Sequence, residues 1–433
     1  MDTISFTREI PLYRTYDVIV CGSGPAGSCA AVAAARQGAK VALVERYGVP
    51  GGNLTCGHVG PILGMVGKGT MRDELMALLG VPENDMIGRI GVAHDMQKAK
   101  TVMTEFIHHE NIDVYLQTMV ADALMDGNTI TGVIISTKEG LKALGGKVVI
   151  DATGDGDVAA FAGCEIEKGR EDGLMQPVTQ EFTLDNVDES RAVICIGDVD
   201  EVQFNGKRFL DYCKDCADAG LLPENLAAVR LHPTVHKGER QVNTTQVNGV
   251  DSTKVETMYT AELELRRQID LLVSFLRENL PGYENCKYIS SGTTTGIRES
   301  RRVVGEYHIT AEELAEGKRF DDVIVHKAEF IVDIHNPAGA GQAEAKIQYV
   351  TPYDLPYGCF VPKKIDGILT AGRCISGTHR AHASYRVMSI CMAMGQAVGV
   401  AAAMCARQGC TPRNLNVKAL QAELTALGIE LFD

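Results

Sequence analysis

The sequence predicts an α/β fold: a parallel βαβ domain begun at the N-terminus and completed by the C-terminus, with a mixed α+β domain inserted between the two parts. Three observations predict it. An apolar run, a glycine turn, an alanine-rich stretch and a second apolar run follow one another within residues 17–45. A strand-like run, a glycine turn and a long apolar segment recur from Gly367 onward. Between them the texture changes to longer polar loops with one strong helical stretch. The expected division is 1–161 for the first part of the βαβ domain, 162–358 for the insert on the substrate side and 359–433 for the completion. A chain of 433 residues is long enough for such a pair.

Each element follows from local pattern. Residues 17–21, DVIVC, read as a strand. Residues 26–37 are alanine-rich without proline and read as a helix, which Gly38 ends. Residues 40–45, KVALVE, form the second strand. Residues 59–79 mix loop and helix, 99–109 read as helix, and 113–124 and 129–137 as strands. The run 147–151 returns the chain to the first sheet. In the insert, 260–279 read as helix and 323–333 as strand. A last helix is expected from about residue 385 to 406, with a loop before it.

Composition narrows the class. Hydrophobic residues make up 45% and charged residues 23%, as in a globular chain rather than a disordered one. The net charge of -14 argues against a nucleic-acid binder. The 45 glycines cluster as turns do around a ligand. The 13 cysteines are scattered, without small-domain spacing, so a reducing, cytoplasmic compartment is expected. Cys213 and Cys216 form a C-x-x-C pair with no second pair to complete a zinc site, so no metal is expected. The N-terminus is acidic and polar before its first apolar run, unlike a signal peptide. The most apolar later stretch, 390–405, is shorter than the ~18 residues a membrane span needs, so a buried helix and no transmembrane segment are expected.

The chemistry starts at Gly22-Ser23-Gly24-Pro25-Ala26-Gly27, a G-x-G-x-x-G that follows a strand and opens a helix. Gly22 permits the tight turn, Gly24 lets backbone approach a pyrophosphate, and Gly27 allows close packing of helix on strand. The helix N-terminus favours the phosphate charge. Glu45 lies 23 residues past Gly22, at the end of the second strand, where a carboxylate accepts from both ribose hydroxyls. The unit is a Rossmann-like βαβ for a dinucleotide, and to this point FAD and NAD are equally served.

Further residues decide between them by resemblance. Arg46 and then Gly51-Gly52-Asn53 follow the second strand. The run Val149-Ile150-Asp151-Ala152-Thr153-Gly154-Asp155-Gly156-Asp157 and the run 367–377, with Gly372 and Arg373, are two more glycine turns after strands. Here the chain resembles the FAD-dependent oxidoreductases related to glutathione reductase and to the fumarate reductase flavoproteins. The stretches GGNLTCG, GIRESRRVVGEYHIT and PYGCFVPKKIDGILTAGRCISGTHRAHASYRVMSICMAMGQAVG resemble one subfamily of mostly unassigned substrate. The resemblance implies a non-covalent FAD held by Gly51, Gly52, Asn53, Gly154, Asp155, Gly372 and Arg373 beside the first motif. It implies that Arg386, Val387 and Met388 form the turn at the flavin, where a helix dipole stabilises negative charge on the reduced ring.

The same comparison limits the chemistry. A dithiol reductase of that class carries C-x4-C after the glycine pair; Cys56 matches the first position, but Pro61 stands at the second. No second G-x-G-x-x-G for a pyridine nucleotide occurs between residues 159 and 358. Reducing or oxidising equivalents are therefore expected from substrate, oxygen or a partner. His379 and His382 flank Arg380 just before the last helix, and either imidazole suits the proton of an alcohol whose hydride leaves, or else bonds loop backbone. His58 is the rival base. Arg298, in Arg298-Glu-Ser-Arg301-Arg302, would hold a carboxylate or phosphate, or else make an internal or surface ion pair. Arg386 would stabilise negative charge, and Tyr353 and Tyr357 line the pocket or pack in the core. The reading is an FAD-dependent oxidoreductase passing hydride between a small polar organic substrate and flavin N5; the alternative is an electron-transfer subunit of a partner redox complex. A homo-oligomer is compatible with either.

Overall fold

The computed structural model describes residues 4–81, 86–87, 91–197, 201–341 and 348–433. Strand β1 (Leu12–Cys21), helix α1 (Pro25–Arg36) and strand β2 (Val41–Val44) form the first βαβ unit, and β1 and β2 are parallel. Val18, Ile19, Val20 and Cys21 are all fully buried, as expected of a parallel strand covered on both faces. The strand starts five residues before the apolar run. Leu12 to Thr15 expose their side chains yet pair with residues 143–145, so hydrogen bonding rather than hydrophobicity makes this part a strand. Pro25 opens α1, where its missing N–H is not needed, and Gly38 follows its end at φ 82°.

Helix α2 (Met71–Leu79) and helix α3 (Met96–His108) cover one side of the sheet. The Asp95 carboxylate accepts from the N–H groups of Gln97 and Lys98, which starts α3 three residues before the apolar pattern does. Strand β3 (Asp113–Tyr115) lies parallel to β2. Strands β4 (Met119–Asp126), β5 (Thr129–Thr137) and β6 (Gly140–Asp151) run as an antiparallel meander whose last strand lies parallel to β1. The order is β3-β2-β1-β6-β5-β4.

The middle of the chain builds a second layer. Strands β7 (Phe182–Asp185), β8 (Leu231–Pro233) and β9 (Arg240–Val242), helix α4 (Val255–Asn279) and strand β10 (Lys287–Ser291) follow in order. The sheet is antiparallel in the order β8-β9-β7-β10. Its own core joins Phe182, Leu184, Leu231, Leu272 and Leu276 to Phe209, Cys213 and Cys216. The two cysteines of the C-x-x-C pair are thus buried side chains of this core. Strand β11 (Val323–Ala328) pairs with β12 (Tyr353–Pro356), and Ile324, Val325 and Leu355 join the main core instead. The strand expected over 323–333 ends at Ala328, after Lys327 turns at φ 52°.

The C-terminal segment completes the first sheet: β13 (Ile368–Thr370) lies parallel to β6, with Thr370 opposite Asp151. Two helices follow where one was expected. Helix α5 (His379–Tyr385) ends at Arg386, Val387 is extended, and α6 spans Met388–Gln408. His379 and His382 therefore sit on a short helix, which Thr378 caps through the Ala381 N–H, and not in a loop. Helix α7 (Val417–Ala426) closes the chain. Helix α6 is also longer than its most apolar stretch. By length and composition it could cross a membrane, which corrects the expectation of too short a segment; its apolar window is wholly buried inside the protein.

The reason lies in α1 and α6, which touch backbone to backbone. A Cβ on Gly395 would lie 2.0 Å from the Ala26 carbonyl oxygen, and one on Gly399 2.3 Å from that of Ala30. Gly395 and Gly399 are four apart and so share one face of the helix. Nothing flexible stands in the way to yield, so Gly399→Leu is expected to destabilise the fold by about 3 kcal/mol or more, and Gly399→Ala by less. Denaturant unfolding measures this; a leucine variant within about 0.5 kcal/mol of the parent protein would mean that the helices do not meet here.

Candidate functional site

Strands β1, β2, β6 and β13 are mutually parallel and end on one edge of the sheet. A cleft of about 1090 Å³, part of it open to solvent, runs along that edge. Ligands in doubly wound folds bind at such carboxyl ends. Gly22, Gly24, Pro25 and Ala26 line it from the first turn, and Glu45 and Arg46 from the end of β2. Gly52, Asn53 and Gly154 line its middle, and Gly372, Arg373 and Met388 its far side. Gly27, Gly51, Asp155 and Val387 do not line it.

The glycines divide by task. A Cβ on Gly22, at φ 94°, would lie 2.4 Å from the Ala152 carbonyl oxygen, and one on Gly27 1.8 Å from that of Gly22. Both are needed for the turn itself. A Cβ on Gly24 would meet nothing within 4 Å. The space over Gly24 belongs to the cleft, as a pyrophosphate cradle requires.

Glu45 is buried at the strand end. One carboxylate oxygen accepts from the Ser23 N–H and hydroxyl, both at 2.7 Å, and the other from the Tyr47 N–H at 2.8 Å. A carboxylate offers about four acceptor sites. Glu45 therefore ties the glycine turn to β2 and retains capacity for a ribose hydroxyl. Asp155 gathers the cations. It accepts from Arg373 Nη2 at 2.9 Å, Ser300 Oγ at 2.8 Å and Arg46 Nη1 at 3.4 Å. Burial pushes its carboxyl up, and Arg373 and Arg46 overcome this to hold it below the ordinary value. Arg373 Nη1 is buried with no partner, a donor left for an anion in the cleft. These features fit FAD: an open phosphate cradle, a carboxylate at the ribose end, a spare guanidinium donor, and the N-terminus of α6 where the flavin end would lie.

A buried polar cluster continues from Arg386, which itself lines the cleft. Arg386 Nη2 donates to Gln176 Oε1 at 3.3 Å, to the Asp333 carbonyl at 3.0 Å and to its carboxylate at 3.3 Å. Gln176 Oε1 also accepts the His335 N–H, and His335 Nε2 lies 3.5 Å from the Asp333 carboxylate. Arg298 points inward and donates to Asn243 Oδ1 at 3.1 Å. Burial, and then the neighbouring Arg386, bring the Arg298 guanidinium down to about 10. Burial, with Arg298 next, brings His335 down to about 3, so its ring is neutral. Glu181 accepts from Gln241 Nε2 at 3.0 Å, and burial pushes its carboxyl up to about 7.

The histidines separate in space. His58 sits at φ 59°, uncommon for a side chain of its size, and its Nε2 meets Thr183 Oγ1 at 2.9 Å and Ser290 Oγ at 3.2 Å. Gln241 Nε2 donates to His58 O and Glu181, so Gln241 Oε1 receives the Thr183 hydroxyl proton. His58 Nε2 must then be the N–H. Burial brings His58 down to about 4. His379 Nδ1 lies 2.9 Å from the Glu299 carboxylate, which also takes Arg302 and the Gln176 N–H. His382 is 1% exposed, edge-on to Tyr385, with neither ring nitrogen hydrogen-bonded. Burial, with Arg386 next, holds it well below its ordinary value, so it too is neutral. Neither His379 nor His382 lines the dinucleotide cleft; His379 lines a second cavity with Arg302 and His308. Arg302 is an internal brace, donating to the carbonyls of Gly377 and Gly169. Tyr353 and Tyr357 are core residues, bonded to Ser384 and to the Pro412 carbonyl. Cys56 is a buried thiol, raised by that burial.

Gln176, Glu181, Asp333 and His335 carry no motif and come from separate segments. The one sequence signal of Glu181, Asp333 and His335 is polarity inside apolar strand-like runs, TQEFTL and FIVDIH, and Gln176 lies outside both.

A family model described as FAD dependent oxidoreductase matches residues 17–424. A soluble pyridine nucleotide transhydrogenase of Marinomonas sp. (strain MWYL1) is 30% identical over 154 residues, 33% of this chain and 31% of that protein. A dihydrolipoyl dehydrogenase of Trypanosoma brucei brucei is 49% identical over 57 residues, 13% of this chain and 12% of that one. The chain thus spans less than a third of either relative. The solved structure of a geranylgeranyl bacteriochlorophyll reductase-like protein from Thermoplasma acidophilum shares the fold, with a TM-score of 0.50 and 13% identity over 96% of this chain and 84% of that one.

Two outcomes follow from this geometry. Gly24→Val is expected to fold and to purify without FAD, whereas Gly27→Val, aimed at backbone, is expected not to fold. Chromophore analysis beside circular dichroism separates the two; a yellow Gly24→Val protein would show that the cradle is not over Gly24. Glu181 gives a pH test. Its carboxyl titrates at about 7 in the folded protein against an ordinary 4.5, so its contribution to stability is fully present below 4.5 and lost as pH rises through about 7. Glu181→Gln, which carries no charge, should gain stability over the parent protein between about pH 5 and pH 8, by on the order of 3 kcal/mol. Unfolding of the apoprotein at both pH values measures it, and a difference independent of pH would refute it.

Proposed function

The chain belongs to the FAD-dependent oxidoreductase family, and from that premise we propose that it passes hydride between a small polar organic substrate and flavin N5, with its substrate side furnished by residues 162–358 and its cofactor side by 1–161 and 359–433. FAD, when bound, supplies the two-electron acceptor or donor. The observation that carries this reading is Arg386. It lines the dinucleotide cleft and is hydrogen-bonded to Gln176 and Asp333 of the buried polar cluster, so one side chain borders both cofactor and substrate space.

The residues divide the work. Arg386, at the break before α6, keeps its proton and stabilises negative charge. Arg298, hydrogen-bonded to Asn243, orients the substrate. The proton of the substrate hydroxyl goes to the α5 segment. His382 is named for this because both of its nitrogens lack a partner; the burial that keeps its ring neutral also makes its imidazolium costly, so the proton passes through it rather than resting there. His379 is held in place by Glu299. His58 ranks after them, since its Nε2 is engaged by Thr183 and Ser290.

The test begins with anaerobic bleaching of the flavin spectrum against a metabolite panel. With the reducing metabolite in hand, His379→Asn, His382→Asn and the double variant are expected to keep FAD, and at least one to reduce about 100-fold more slowly. If all three reduce at the parent rate across about pH 6–9, the base is not on α5, and His58→Asn is the next variant to measure.

A further inference from the structure

We propose that the substrate is a small organic carboxylate, whose carboxylate group is held by Arg298, Arg386 and the side-chain amide of Gln176. This rests on the reading that the cluster beside Arg386 is the substrate side.

The donors are counted first. Gln176 Oε1 is occupied, accepting from Arg386 and from the His335 N–H. The amide orientation is thereby set, and Nε2, with its two hydrogens, is buried with no acceptor. Arg386 Nε and Arg298 Nε are likewise buried with no acceptor. Native interiors rarely leave buried N–H groups unmet, and three side chains doing so in one place mark where an acceptor belongs. Arg386 neighbours both others, Gln176 by hydrogen bond and Arg298 through its charge.

Charge points the same way. Arg386 is paired with the Asp333 carboxylate at 3.3 Å. Arg298 has its hydrogen bond to the neutral Asn243 amide and, among the described residues, no carboxylate within ion-pair distance. Its remaining neighbours are mixed: Arg386 and Arg230 repel it, and Asp333 and Glu181 attract it from further off. His335 is neutral and contributes no charge. A buried guanidinium without a direct counter-ion is costly, and an incoming anion relieves that cost. One unpaired guanidinium calls for one negative charge. A planar carboxylate matches the guanidinium fork, whereas a phosphate ester would bring close to two charges beside Asp333 and Glu181.

The experiment uses the FAD-loaded protein and reads binding without turnover, as a perturbation of the oxidised flavin spectrum. The probes are glycolate, lactate and succinate, with glycolamide as the neutral analogue and inorganic phosphate and sulfate as controls. At least one carboxylate is expected to bind with a millimolar or tighter Kd, and its neutral analogue at least about 10-fold more weakly. Arg298→Gln should weaken that carboxylate about 10- to 100-fold at unchanged FAD content, with Arg298→Lys between. Gln176→Leu, which removes a donor without touching charge, should weaken it by a smaller factor. Three results overturn the proposal: no carboxylate perturbs the spectrum up to about 50 mM; Arg298→Gln binds as tightly as the parent; or phosphate and sulfate bind as well as every carboxylate. Carboxylate binding without bleaching by any metabolite would instead sink hydride transfer and leave this inference standing. Bleaching by a neutral metabolite, with no carboxylate bound, would do the reverse.

Discussion

Gly395 and Gly399 bring the backbone of α6 against Ala26 and Ala30 of α1, closer than any side chain would allow. The two helices start at the same edge of the sheet, one after the first glycine turn and one after β13 and its turn. Because they touch, the first and last parts of the chain are locked into one sheet, with β13 beside β6. The cleft is the gap left over their N-termini. Gly22 and Gly27 extend the same constraint into the turn, where backbone lies against backbone with no side chain between. The alanine-rich composition of α1 and the glycine spacing of α6 are the requirement for this approach, which also accounts for an apolar helical window wholly buried inside the protein.

Buried charge then ties the middle of the chain to this frame. Residues 298–302 use each polar side chain differently. Ser300 and Arg301 reach Asp155 and Asp157 behind the cofactor turn. Glu299 and Arg302 brace α5 and the Gln176 loop, and Arg298 donates to Asn243 beside the polar cluster. Paired buried ions add little net stability, but breaking one pair is expensive, so such a segment tolerates few alternative arrangements. The result is a braced segment beside both the dinucleotide cleft and the polar cluster, with Arg386 lining the one and hydrogen-bonded within the other.

Burial also sorts the basic groups. Four histidines near the site, His58, His94, His335 and His382, are all held below their ordinary value chiefly by burial. They are neutral, and at His335 and His382 neighbouring arginines add to that effect. Glu181 is displaced the opposite way by the same burial. The site therefore offers fixed positive charge from arginine and uncharged proton acceptors from histidine, which suits chemistry in which an anion is held while a proton moves.

The cofactor half was legible in the sequence because its requirements are local. A turn at φ 94°, an open cradle over Gly24 and a carboxylate at a strand end each need one residue type at one spacing, and Gly22, Gly24 and Glu45 supply them. The strands of the parallel core were legible for a similar reason: burial on both faces leaves a continuous apolar run. Where hydrogen bonding alone makes a strand, as at Leu12 to Thr15, the pattern is silent. The break between α5 and α6 was equally hidden, since Arg386 and Val387 have no helix-breaking chemistry and tertiary packing interrupts the helix there. The polar cluster was the least legible part. Gln176, Asp333, His335 and Arg386 become neighbours only once segments far apart in the chain fold together, across 210 residues between Gln176 and Arg386. The sequence by itself determined the dinucleotide fold and its cofactor, because those depend on backbone geometry within short segments. Which side chains gather in the polar cluster was decided by the tertiary structure, because that depends on contacts between segments far apart in the chain.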